Sequence, residues 1–234
     1  SWNSNGDSMY GQQGVDNVQF PSEVDVGRIP WSDPTTVEDI CMNMAEFEWS
    51  QDMANYKLNY LLTAAYFWSD TDNAALKTYI LNNACDPGDP PVRIYEQGPC
   101  WNSIYYSEYA MTRSITRDVW GAGHYGFVNL AGHGSHYGVY FQERHPTCSP
   151  QVYFHADDRS YLDPNYPSVV FSCACSTAWP EDNNLGKRLL QRGSVGFVGA
   201  TRLGFGAGGW NDPSDGSSQT LDWRFCYNAI NLNI

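Results

Sequence analysis

A histidine between two glycines and a cysteine 42 positions later each follow a run of apolar residues. The first run is Phe127-Val128-Asn129-Leu130-Ala131, leading into Gly132-His133-Gly134-Ser135. The second is Val169-Val170-Phe171-Ser172-Cys173, leading into Ala174-Cys175-Ser176-Thr177. Short apolar runs of this kind read as buried strands. In an open α/β sheet, residues just past the carboxyl ends of parallel strands share one crest, where ligands and chemistry gather. A thiol and an imidazole on that crest have the parts of a nucleophile and its base. A free thiol is mostly protonated at neutral pH, and a neighbouring imidazole draws off its proton. The expected chemistry is that of a cysteine hydrolase acting on peptide bonds, with Cys175 as nucleophile. His133 is then the general base and afterwards the acid toward the leaving amine. Its flanking glycines let the chain turn sharply and let a substrate backbone approach. Cys173 is expected inside its strand, as a structural residue.

Such a pair needs a sheet to position it, and the rest of the chain supplies the elements. Asp33-Pro34 opens a helix as N-cap and first helical residue, and Val37, Ile40, Met44 and Phe47 carry it to about residue 51. Residues 58–67 read as a buried strand, 72–83 as a helix capped by Asp72, and 91–95 as a short strand. The spacing of Ile104, Tyr105, Tyr109, Met111 and Ile115 predicts a helix over 102–118. Residues 140–167 are polar and rich in Pro, His and Asp, with no clear element; so long a connection is usually functional. A helix at 184–191, a strand at 195–200, a Gly-rich loop at 204–216 around Trp210 and a helix at 217–230 complete the chain. Strands alternating with helices predict an α/β three-layer sandwich, a mostly parallel central sheet flanked by helices.

Composition narrows the setting. The 234 residues suffice for one good core, read as a loop-rich segment at 1–30 and a catalytic domain at 31–234. A formal net charge of −13 should repel nucleic acid and anionic lipid, and no apolar stretch is long enough for a membrane span. The start, Ser1-Trp2-Asn3, lacks an initiator Met, so a processed form or a fragment is expected. The seven cysteines permit up to three disulfides with one thiol left over. Cys85 and Cys100 bracket a loop that a disulfide would clip well; the other partners stay open. Low Lys with abundant Asn, Tyr and Trp points to an extracellular or cell-surface protein.

At these residues the chain resembles the gingipain family of cysteine peptidases, whose fold is shared by caspases, legumains and separases. The likeness spans about residues 20 to 230. Val26-Gly27-Arg28-Ile29-Pro30 resembles the family's VGRIP segment at the start of its catalytic subdomain, so residues 1–30 would close a preceding subdomain. Leu130-Ala131-Gly132-His133-Gly134-Ser135 resembles its TGHGS segment, which carries the catalytic His. Cys173-Ala174-Cys175-Ser176 lies where the family has VACVNGDF, the nucleophile being the Cys after Ala. Gly193 to Thr201 resembles the strand that follows. The resemblance implies an oxyanion hole from the backbone N–H groups of Gly134 and Cys175. It also implies a substrate pocket lined by Ala131, Cys173 and Trp210. Asp70 and Asp72, just past the strand at 58–67, fall near the family's acidic position. One could orient His133 and one could favour a basic side chain in the pocket, although Asp72 also serves as a helix cap.

The function read from all this is a secreted cysteine endopeptidase working through a thioester acyl-enzyme, cleaving after basic residues if an aspartate lines the pocket. Its partner is a protein or peptide substrate; the oligomeric state is left open. Thr177-Ala178 stand where the family has Asn-Gly, which keeps two alternatives in view. One is a catalytically silent binding or structural surface module, the other a cell-surface transpeptidase of the same fold. No cofactor is required and no catalytic metal is expected, because His133, His136, His145, His155, Asp157 and Asp158 fit no standard zinc spacing. The acidic loops at Asp157-Asp158 and Asp212 to Asp215 could hold a structural Ca²⁺.

Overall fold

Three apolar runs, each hydrophobic on consecutive residues, can hide both faces only in the middle of a covered parallel sheet. The computed structural model, which describes residues 5–7, 27–49, 54–86, 90–141 and 148–231, places them there. In chain order, the first half runs α1 (Pro34–Trp49), α2 (Ala54–Lys57), β1 (Tyr60–Ala64), β2 (Tyr66–Trp68), β3 (Thr71–Asp72), α3 (Ala74–Ala84), β4 (Val92–Tyr95), β5 (Tyr109–Ala110) and α4 (Arg113–Gly123). The second half runs β6 (Phe127–Ala131), β7 (His133–Ser135), β8 (Gly138–Phe141), β9 (Gln151–His155), β10 (Ser168–Cys173), α5 (Leu185–Gln191), β11 (Ser194–Gly199) and α6 (Ser217–Asn231). Short 3₁₀ turns occupy Ala156–Tyr161 and Pro213–Asp215. The segment expected at 1–30, with its closing strand, lies mostly outside the described residues.

The main sheet has the order β11-β10-β6-β1-β4-β5, with every pair parallel. From β1 the chain builds outward through β4 and β5, then returns to build the other side through β6, β10 and β11. The point where that direction reverses lies between β1 and β6, where an open sheet leaves its crevice. Alternate residues feed two cores. Leu61, Val128, Leu130 and Val170 pack with Trp120 of α4 and with Leu185 and Leu189 of α5. Leu62, Phe127, Ala131 and Phe171 pack with Leu76 and Ile80 of α3 and with Cys226 and Ile230 of α6. The expected α/β three-layer sandwich is what the chain forms.

Four local expectations need correction. The strand expected at 58–67 breaks at Ala65, whose N–H makes a last 2.9 Å rung to the Ala131 carbonyl before β2 and β3 form a small hairpin. The helix expected at 102–118 starts only at Arg113, where the Thr112 side chain caps it by accepting from the Ile115 N–H at 3.1 Å. Upstream, the Ser103 and Ser107 hydroxyls bond their own backbone neighbours, which competes with helix. The polar stretch 140–167 contains strand after all: the end of β8 and all of β9 lie in it, and with β7 they form an antiparallel three-stranded sheet. Finally, Cys85 is a free, buried thiol, and Cys100 pairs with Cys148 instead. That bridge ties the loop after β4 to the start of β9.

Beneath β6 lies a polar group of residues that periodicity does not reveal. Lys77 of α3 and Asp222 of α6 form a 2.8 Å ion pair with both side chains fully buried. Asn129 of β6 accepts from Lys77 and donates to both Asp222 and the Cys226 sulfur, and the Cys226 thiol donates to Asp222 at 3.2 Å. Removing one member leaves a charge buried without its partner, which typically costs about 3–5 kcal/mol. Lys77→Met should therefore lower the free energy of urea unfolding by about that much. Adding Asp222→Leu in the same chain should recover a large part of the loss; equal unfolding midpoints for the wild type and Lys77→Met would contradict the assignment.

Candidate active site

The crest expected from the sequence exists, and three neighbouring strands build it. In register, Ala64, Ala131 and Cys173 stand side by side at the ends of β1, β6 and β10. Phe67 follows Ala64 by three residues, while His133 and Cys175 each follow their strand by two. His133 and Cys175 line one groove, with a cavity volume of about 1050 Å³.

The two loops touch at a glycine. A Cβ built on Gly134 would stand 2.2 Å from the Cys175 carbonyl oxygen and 2.6 Å from its amide nitrogen. Only a residue with no side chain lets the histidine loop pass so close to the nucleophile loop. This contact brings the Gly134 and Cys175 backbones together.

The His133 ring meets a backbone carbonyl, not a carboxylate. Its Nε2 is 2.7 Å from the Phe67 oxygen. A carbonyl oxygen only accepts, so in the neutral ring Nε2 carries the proton and Nδ1 keeps its lone pair. Asp70 and Asp72, the expected orienting acids, are engaged elsewhere. Asp70 accepts from the Thr71 hydroxyl at 3.0 Å, and Asp72 accepts from the Ala74 N–H at 2.9 Å as a cap of α3. Burial holds the Asp72 carboxyl above its ordinary pKa. Neither lines the groove.

Cys175 is half-buried, and its sulfur accepts the Gly204 N–H at 3.3 Å. The thiol in turn donates toward the Gly204 carbonyl oxygen at 3.7 Å. The next residue, Ser176, has φ 60°, a left-handed conformation that turns the chain abruptly off β10. The turn is held by its own backbone: the Ser176 N–H donates to Arg202 and the Ala178 N–H to Ala200. Trp179 pins it from outside, with His136 stacked on its ring at 4.5 Å and the Arg202 guanidinium over it at 4.2 Å. Phe67, Gly204, Trp179 and Arg202 were not anticipated. Gly204 lies in the Gly-rich loop and Phe67 on the crest, so only their general positions were legible.

Of the expected pocket residues, Cys173 lines the groove at its floor, buried, and that burial raises its thiol pKa. Ala131 is fully buried within the sheet, and Trp210 is only 4% exposed. Trp210 packs edge-on to Tyr79 and donates its indole N–H to Thr220, so it belongs to the core under the groove and is not a platform in it. The acidic loops are likewise occupied: Asp158 binds Arg113, and Asp215 accepts from the Asn211 and Asp212 backbones. Among the described residues no three His, Cys, Asp or Glu gather to hold a metal; His145 lies outside them. Among the described residues, no helix is long and apolar enough to cross a membrane.

Fold and site together define an α/β protein of cysteine-peptidase type. The sequence model of peptidase family C25 matches residues 3–231, and the chain belongs to that family. Its fold is similar to that of an Arg-specific cysteine proteinase, gingipain R, with a TM-score of 0.57 at 14% identity. The match covers 81% of this chain and 41% of that one, so the chain spans less than half of the solved protein. No curated protein sequence matches.

The hydrogen bond to Phe67 sets the tautomer of His133, which is directly measurable. With the ring neutral, ¹⁵N NMR (the signal assigned by its loss in His133→Ala) should show a pyrrole-like Nε2 and a pyridine-like Nδ1. The opposite pattern would place the proton on the wrong nitrogen for the base described.

Proposed function

We propose that this chain cleaves peptide bonds with Cys175 as nucleophile and His133 as its base. The observation that carries the reading is the junction of the two loops. His133 and Cys175 line one groove, the Phe67 carbonyl holds the His133 Nε2, and Gly134 sits against the Cys175 peptide. In the first step Nδ1 takes the thiol proton and the sulfur attacks the carbonyl carbon of the scissile bond. The oxygen becomes an oxyanion between the N–H groups of Gly134 and Cys175, whose preorganised dipoles lower the barrier. The C–N bond then breaks as Nδ1 gives its proton to the amine, leaving a thioester. Water, deprotonated by the same nitrogen, attacks that thioester and releases the acid and the thiol.

Cys175 and not Cys173 suits this role on physical grounds, because Cys173 is buried and holds its proton tightly. An extracytoplasmic setting is part of the proposal, supported by the Cys100–Cys148 disulfide.

An uncharged acyloxymethyl-ketone peptide probe tests the pair directly, with the adduct mapped by mass spectrometry. Wild type should be labelled at Cys175, and both Cys175→Ala and His133→Ala should lose labelling there. Gly134→Ala should retain its circular dichroism but label roughly a hundredfold more slowly, since small misplacement of reacting groups has that effect. Labelling at Cys175 that is indifferent to His133 would remove the catalytic reading and leave a binding module.

A further inference from the structure

Large apolar side chains left open to water beside a nucleophile ask for an explanation. Phe205 is 82% exposed, Leu221 65% and Trp68 46%, and all three line the groove that holds Cys175. Phe67, Phe171 and Phe225 line it as well. The Gly-rich loop is pressed onto this aromatic wall: a Cβ on Gly206 would stand 2.9 Å from the Phe67 ring and 3.2 Å from Trp68. At Ser217, where α6 begins beside the groove, φ is 70°, so the chain enters the helix through a left-handed turn. From there α6 sends Leu221, Arg224 and Phe225 along the far side.

The charges of the lining point the same way. The chain carries 26 acidic residues against 13 Lys and Arg, yet among the described residues no carboxylate lines the groove. Among the described residues, Arg224 is the one permanently charged side chain lining it, exposed and without an ion-pair partner there. Asp70 lies outside, toward Gly208, whose added Cβ would be 3.7 Å from the Asp70 carboxylate. A substrate Lys or Arg placed here would lose water, find no anion and face a like charge, all of which disfavour it.

Accepting Cys175 as the nucleophile, we propose that the groove takes a large apolar side chain, aromatic or long aliphatic, next to the scissile bond, and discriminates against basic ones. The apolar side chain gains burial on several faces at once, and ring-on-ring contacts with the wall add to it.

Two measurements keep this separate from the catalytic reading. In the first, the full chain digests a mixed peptide library, and the new termini are read by mass spectrometry against a Cys175→Ala blank. Phe, Tyr, Trp, Leu and Met should be enriched at least tenfold over Lys and Arg on one side of the cut. Enrichment of Lys or Arg, or of Asp and Glu through Arg224, would overturn the proposal while leaving the peptidase standing. In the second, the Cys175→Ala chain is titrated with Ac-Gly-Gly-Phe-Gly-Gly-NH₂ and with its Arg and Glu counterparts. The Phe peptide should bind at least tenfold more tightly than either, even if no cleavage is ever seen; equal or reversed affinities would overturn the proposal. Leu221→Asp alters an exposed groove position without touching the core, and it should shift the Phe-to-Arg affinity ratio at least tenfold toward Arg.

Discussion

Everything at the crest depends on β1, β6 and β10 ending flush. Thr63, Leu130 and Ser172 form one row of the sheet, and Ala64, Ala131 and Cys173 form the next. The rungs continue one step beyond the strands: the Ala65 N–H reaches the Ala131 carbonyl, and the Gly132 N–H reaches that of Cys173. From that common line, two residues reach His133 and Cys175 and three reach the carbonyl of Phe67. Sliding one strand by a single residue would turn its core residues to the wrong face, so burial on both faces holds the register firmly. The reactive groups need no separate device to find each other. They are placed by hydrophobic pairing several residues away.

The buried polar group beneath β6 fits the same logic. An ion pair taken wholly out of water is at best weakly stabilising compared with apolar packing. What Lys77, Asp222 and Asn129 do supply is direction, since each hydrogen bond is satisfied in only one relative setting of α3, α6 and β6. Helices packed by apolar contact alone can rotate or slide with little penalty. Here α6 also carries the far side of the groove, so a setting fixed at Asp222 is passed to Leu221 and Arg224 beside it.

How much of this was legible follows from the kind of force involved. The apolar runs at 127–131 and 169–173 announced the strands because burial acts on composition, and the glycines flanking His133 announced a close approach. The His133 and Cys175 loops were therefore readable as neighbours on one crest. What failed was whatever depends on a backbone atom or a distant partner. The Phe67 carbonyl carries no signature in the residue type, so a carboxylate was expected at Asp70 or Asp72 instead. Cys100 pairs with Cys148 because the fold brings the loop after β4 to the start of β9, which no sequence spacing states. The family resemblance placed Trp210 in the substrate pocket; in the fold it fills the space between Tyr79 and Thr220.

A carbonyl in place of a carboxylate behind His133 has a consequence for the chemistry. A carboxylate would stabilise the imidazolium as a full counter-charge, whereas a carbonyl offers a dipole. In the proposed reaction the imidazolium would then have the Cys175 thiolate as its counter-charge. On the sulfur side the structure places the Gly204 N–H at 3.3 Å and the Gly204 carbonyl oxygen at 3.7 Å, next to the left-handed turn at Ser176. An apolar groove strengthens the attraction between the two charges by excluding water around them. It also makes a competing cation from the substrate more disruptive. The same aromatic wall that would receive an apolar side chain would thus also shield the proposed pair from water.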